Sequence, residues 1–190
     1  MCEITFDNKT VTVVRSTRKT ISIEIKPDGI YLRAPRRMSN ADIQKFLESK
    51  KSWIQKHAKK MADRTEAAKS LGTFTHEEIH DLAEKALTIL PERVKYYAEL
   101  IGVDYGHITI RNQRTRWGSC SNKGNLNFNC LLVLLPDEII DSVIVHELCH
   151  RKHMNHSAQF YTEVEQAYPD YQRCHKWLKE NGGVYLCRLP

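Results

Sequence analysis

The run His146-Glu147-Leu148-Cys149-His150, with His156 six residues after the second histidine, is where residue types and spacing in this 190-residue chain specify chemistry. Helical positions four apart stand one above the other, so His146 and His150 can offer two imidazoles to one ion with Glu147 beside them. Adding a further histidine at a fixed offset makes the pattern a chance event in only about one or two of a thousand such chains, so accident does not explain it. Ile139, Ile140, Val143, Ile144, Val145, Leu148 and Cys149 make the predicted helix apolar nearly all round, the mark of a buried helix. Imidazoles and a carboxylate in that setting need compensation, and a cation supplies it.

Catalytic zinc sites use three protein ligands and leave the fourth position to water. His156 is the expected third ligand, returned to the ion after a turn at Asn155, a residue type that tolerates left-handed backbone. The alternatives are His153 and a carboxylate of the following helix, Glu163 or Glu165. His153 lies two turns beyond His146, about 10 Å along the axis, too far for one ion with bonds of about 2 Å. It is read instead as supporting, substrate-facing or solvated, and His175 as a surface histidine. Neutral imidazoles leave the charge of the ion intact, which brings the pKa of a bound water toward about 7, and Glu147 is placed to accept the proton. Zinc is the expected ion, although three histidines admit other divalent metals.

The elements that must position these groups follow from pattern. Val11 and Val13, then Ile21, Ile23 and Ile25, then Ile30, Leu32 and Ala34 alternate as strands, with Lys26-Pro27-Asp28-Gly29 as a hairpin turn. They predict a small antiparallel sheet. Ser39 or Asn40 caps one amphipathic helix carrying Ile43, Phe46, Leu47, Trp53, Ile54 and Met61. Residues 63–73 read as a linker. Thr75 and Glu78 form a capping box for a helix that Pro91 interrupts or restarts and Gly102 ends. Short strands at 107–111, 116–119 and 126–129 follow, with Asn122-Lys123-Gly124-Asn125 as their turn, before Pro136 and Asp137 open the histidine-bearing helix. The fold class is α+β, with a subdomain at 1–62 (sheet and amphipathic helix) and a catalytic domain at 75–190.

A net charge of +6 and a pI near 9.0 favour anionic partners. The cations crowd the first third, from Arg15, Arg18 and Lys19 through Arg36 and Arg37 to Lys59 and Lys60, with a second cluster at Arg111, Arg114 and Arg116. No run reaches the ~18 apolar residues of a membrane span, and the first residues lack the plan of a signal peptide. A cytoplasmic protein with no membrane partner is expected. The six cysteines lack Cys-x-x-Cys spacing, so reduced thiols are expected, with Cys149 the one to watch for oxidation.

With these elements placed, Thr115-Arg116-Trp117-Gly118-Ser119-Cys120-Ser121, Gly124-Asn125-Leu126, Phe128-Asn129, Leu135-Pro136, and the histidine motif through Asn155-His156-Ser157 and Phe160 together resemble the YgjP-like family of metallopeptidases, over nearly the whole chain. The resemblance implies kinship with SprT-like zincins, a zincin-like helical core with a short sheet beside the metal helix, His146, His150 and His156 as ligands, and Glu147 as base. It leaves the bond open, since one relative is described as a metal-dependent nucleotide pyrophosphatase. A zinc-dependent peptidase is the leading expectation. A divalent-metal phosphohydrolase of nucleotides is the second, and a nucleic-acid-associated module with a structural metal the third. Arg116 and His153 are expected beside the substrate. Arg116 has a structural alternative, as partner of a helix carboxylate such as Asp141, and Asn129 is either a support for the site or a strand end.

Overall fold

The computed structural model describes residues 2–190, which divide into two compact units meeting at Ser70 and Leu71. In the first, β1 (Cys2–Phe6), β2 (Lys9–Ser16), β3 (Ser22–Lys26) and β4 (Gly29–Pro35) form one sheet in the order β1-β2-β4-β3. The expected antiparallel sheet is mixed, because β4 returns from its hairpin with β3 and inserts beside β2 in parallel, Val13 opposite Leu32. Apolar content decides the position. Ile30, Leu32 and Ala34 of β4 are buried with Val11 and Val13 of β2, whereas β3 is only half-buried and takes an edge.

The single amphipathic helix is two. Ser39 caps α1 (Asn40–Ser49) by accepting from the Asp42 N–H, the chain leaves helical geometry at Lys50, and α2 (Lys51–Leu71) follows. Ile43, Leu47 and Ile54 enter the core with Phe6 and the sheet. Trp53, read as an apolar-face residue, is exposed and stacks on His57 at 4.0 Å between centroids. Residues 63–71, read as linker, are the last turns of α2: their Ala, Glu, Lys and Arg content is good helix material even without an apolar period.

The second unit opens with α3 (His76–Ile101), capped by the Thr75–Glu78 box and ended by Gly102 in left-handed geometry at φ 72°. Pro91 does not interrupt it. The carbonyl Pro91 leaves without a helical donor belongs to Leu87, which lies on the exposed side of the helix rather than in its core face. The strands β5 (Ile108–Arg111), β6 (Gly118–Cys120) and β7 (Leu126–Asn129) pair in the order β5-β7-β6, parallel then antiparallel. A 3₁₀ helix (Cys130–Leu134) leads to α4 (Asp137–Cys149), followed by α5 (Ala158–Ala167) and α6 (Tyr171–Cys187). The core of this unit surrounds α4, whose Ile139, Ile140, Ile144, Val145, Leu148 and Cys149 are all at most 3 % exposed. No helix among the described residues is long and apolar enough to cross a membrane.

Candidate metal centre

Helix α4 is clamped at both ends. Arg93 of α3 donates to Asp141 at 2.8 Å and to Asp137 at 2.6 Å, pinning its first two turns. Arg116 therefore does not partner Asp141. Past the C-terminal end, Arg151 donates to the Asp104 carbonyl and carboxylate, both at 3.0 Å, which ties the turn after α4 to the loop before β5. The chain then bends through Met154 and Asn155 and returns at His156, just before Ser157 caps α5. Asn155 is not left-handed: among the described residues the non-glycine positions with positive φ are Asp7 and Asn8, so the return is made by bends instead.

The return brings His146, His150 and His156 together, with one ring nitrogen from each within 4.8 Å of the others. Ring centroids lie 5.0, 5.0 and 4.8 Å apart, close to an equilateral triangle. Fully buried Phe160 sits 4.6 to 4.9 Å from all three as a common floor. The Nε2 atoms of His146 and His156 are 3.1 Å apart, near the ~3.3 Å that two nitrogens take on one tetrahedral zinc with bonds of about 2.05 Å. A hydrogen bond between two histidines explains a pair; it does not explain why a third closes the triangle. The donor set fits zinc.

Each helix-borne imidazole is held from behind through Nδ1. His150 Nδ1 lies 3.0 Å from the His153 carbonyl, which only accepts, so that nitrogen carries the hydrogen and Nε2 keeps its lone pair. His153 thus enters the site through its backbone, and its side chain is not among the residues lining the cavity. His146 Nδ1 lies 2.8 Å from the hydroxyl of buried Tyr171, whose oxygen is 3.4 Å from His175 Nδ1. Donation from His146 to Tyr171 and from Tyr171 to His175 satisfies all three groups at once. His175, read as a surface residue, is half-buried and stacked on Tyr171 at 5.3 Å. Burial first, then the neighbouring imidazoles, lowers the His146 pKa to about 3, and burial likewise lowers that of His150. Both rings are neutral at physiological pH, as ligands must be.

Glu147 is 6 % exposed on the flank of the same helix. Burial raises its pKa to about 8, opposed by the Arg116 charge and by the Cys120 backbone N–H, which donates to it. Strand β6 runs so close that a Cβ on Gly118 would lie 2.8 Å from Glu147 Cγ and Oε1, so only glycine fits there. Arg116, Gly118, Ser119, Cys120 and Met154 join the three histidines and Glu147 around a cavity of about 240 Å³. A second chamber of about 190 Å³ shares Arg116, Gly118, His146 and Glu147 and is closed by Trp117, Val143, Leu178 and Tyr171. Asn129 holds the loop that carries Arg116: its Nδ2 donates to the Gln113 and Arg116 carbonyls at 2.6 and 2.9 Å, and its Oδ1 accepts from the Leu131 N–H. It is both strand end and clip. Glu163 is engaged by Lys152 at 2.6 Å and Glu165 by Gln172, away from the histidine triangle.

Sequence reasoning missed Tyr171 and the flooring role of Phe160; nothing in the sequence distinguishes them from ordinary core aromatics. Cys149 is wholly buried with its thiol pushed up to about 12 by burial, which makes it unreactive, and Cys120 is the thiol that faces the cavity. All six cysteines are free.

The chain matches the family described as YgjP-like, metallopeptidase domain, over residues 19–82 and 76–181. Two solved metallopeptidase zymogens are similar in part. Abylysin of Pyrococcus abyssi is 20% identical with a TM-score of 0.45, over 50% of this chain and 96% of that one. Jannalysin of Methanocaldococcus jannaschii is 20% identical with a TM-score of 0.42, over 47% and 93%. No curated protein matches.

Proposed function

Because the chain belongs to the YgjP-like metallopeptidase-domain family, we propose that it hydrolyses peptide bonds at this centre, with His146, His150 and His156 holding zinc and Glu147 acting as general base. The observation that carries this reading is the triangle of imidazole nitrogens beside a buried carboxylate of the same helix. When bound, zinc supplies Lewis acidity, which acidifies water and polarises a carbonyl oxygen. Glu147 takes the proton of the attacking water on its carboxylate and passes it to the departing amine nitrogen as the C–N bond breaks. Burial raises its pKa in the metal-free protein, and the positive charge of an ion held by the adjacent histidines would lower it again, giving the carboxylate that accepts the proton. Arg116, exposed at the cavity wall, faces charge developing on the substrate oxygen. His153 contributes through the carbonyl that orients His150.

Two features favour a peptide over a nucleotide. Strand β6 is an edge strand. Trp117 and Ser121 turn their backbone groups toward β7, so alternation leaves those of Gly118 on the open side, where an extended chain can pair. Arg116 is also the only cationic side chain lining the cavity, too few for a triphosphate, while the adjoining chamber offers apolar walls for a side chain.

Glu147→Gln is expected to retain about one zinc per chain and to lose about 10²- to 10⁴-fold in kcat/KM on a fluorogenic peptide panel. Release of phosphate or pyrophosphate from nucleoside triphosphates, with every peptide untouched, would replace this reading with phosphohydrolysis. Absence of bound metal after mild purification would end both.

A further inference from the structure

Charge divides between the two units far more sharply than composition suggests. Residues 1–70 hold 16 of the 29 Lys and Arg but 8 of the 23 Asp and Glu, a net of +8, whereas residues 71–190 hold 13 and 15, a net of −2. Within the first unit, residues 8–23 and 29–41 contain seven cations and no acidic residue. Topology then gathers part of this charge. Because β2 and β4 are parallel, with Ser16 opposite Pro35, the loops that leave them start from the same end of the sheet, joined by the Arg36 N–H donating to the Ser16 carbonyl at 3.0 Å. Arg18 and Lys19 lie on one loop, Arg36 and Arg37 on the other.

These four differ from Lys26 and Lys51 at the opposite end. There, Lys51 pairs with Asp7 at 3.3 Å near the β1–β2 turn, and Lys26 with Glu24 at 3.7 Å near the β3–β4 turn. Among the described residues no carboxylate pairs with Arg18, Lys19, Arg36 or Arg37, and the last three are exposed. Arg18 donates to the hydroxyls of Ser22 and Thr20 at 3.0 and 3.3 Å, which hold the guanidinium in place without neutralising it. The fifth cation at this end, Arg15, serves the fold by donating to the Met38 carbonyl and to Asn40.

We infer that this end of the sheet binds the phosphate backbone of nucleic acid through Arg18, Lys19, Arg36 and Arg37. Three of the four are arginines, whose fork matches phosphate oxygens, and Thr17 and Thr20 add exposed hydroxyls of the kind that contact phosphate. An anionic membrane is the weaker match, because no large exposed apolar residue lies on either loop to enter the acyl boundary. The inference concerns a surface of the first unit and stands apart from the peptidase reading.

The test is binding of the full chain to a fluorescein-labelled duplex DNA of mixed sequence, read by anisotropy over a range of salt. Four phosphate contacts at about −0.9 each predict a slope of log K against log salt of roughly −3 to −4. The triple variant Lys19→Gln, Arg36→Gln, Arg37→Gln is expected to weaken binding by about tenfold or more and to bring the slope to roughly −1. The same charge removed by Lys45→Gln, Lys56→Gln, Lys59→Gln on α1 and α2 should leave the slope nearly as in the wild type. Should the triple variant melt early, single variants at Arg36 and Arg37, each lowering the slope by about 1, decide the matter. No binding at low salt, equal loss in the two triple variants, or tighter binding to vesicles of anionic lipid at matched charge would overturn the inference.

Discussion

Tyr171 acts on the proposed metal centre through His146 rather than as a ligand. Its hydroxyl stands between His146 Nδ1 and His175 Nδ1, so it fixes the ring angle and leaves the Nε2 lone pair of His146 free. Tyr171→Phe removes that partner while keeping the ring stacked between two histidines. Zinc affinity, measured by competition with a chromogenic chelator, is expected to fall about 10- to 100-fold. The buried carboxyl and imidazole also leave opposite marks on the metal-free protein. His146, lowered from 6.5 to about 3, is protonated first in the unfolded chain, so its contribution to stability is lost as pH falls below about 6.5. Glu147, raised from 4.5 to about 8, holds a proton that the unfolded chain releases, so stability falls as pH rises across that interval. Between pH 6.5 and 8 the Glu147 slope stands nearly alone. Urea unfolding of chelator-treated protein should show stability decreasing over that window, and Glu147→Gln should flatten it.

At the scale of elements, the site is the meeting of one buried helix, one edge strand and one return loop. The helix was legible because the histidine spacing and the all-round apolar pattern agree. Its neighbours were less so. For the segment from Arg116 to Ser119 the sequence held both a core and a site reading: Trp117 packs against the core, Gly118 yields room to Glu147, and Arg116 lines the cavity. Asn129 makes that arrangement rigid. Replacing it by alanine leaves the part-buried Gln113 and Arg116 carbonyls and the buried Leu131 N–H without their partner, and an orphaned buried N–H alone costs about 1 to 3 kcal/mol. Denaturant unfolding of Asn129→Ala should show that loss, with kcat/KM falling as the Arg116 loop loosens.

For the whole molecule, all the proposed metal ligands lie in the second unit, along with Trp117 and Trp177, whereas Trp53 is in the first. Zinc present at a thousandfold excess over its Kd stabilises the folded state by roughly 4 kcal/mol. In a Trp53→Phe background, fluorescence reports the second unit alone, and chelation is expected to lower its unfolding midpoint accordingly. An unchanged midpoint would mean that the histidine triangle holds no ion in solution.

Local pattern was enough to pick out the histidines that cluster at 146–156, the Thr75 and Gly102 caps, and the strands with strict alternation, because each depends on neighbours within a few residues. The tertiary structure alone decided that β4 lies in the middle of a mixed sheet, that Pro91 is tolerated within α3, that α2 continues through residues 63–71, and that Tyr171 stands behind His146. Those outcomes depend on groups brought together from 25 residues apart, as with His146 and Tyr171, or on which face of a helix is left exposed. Burial and packing set these, and sequence spacing does not encode them.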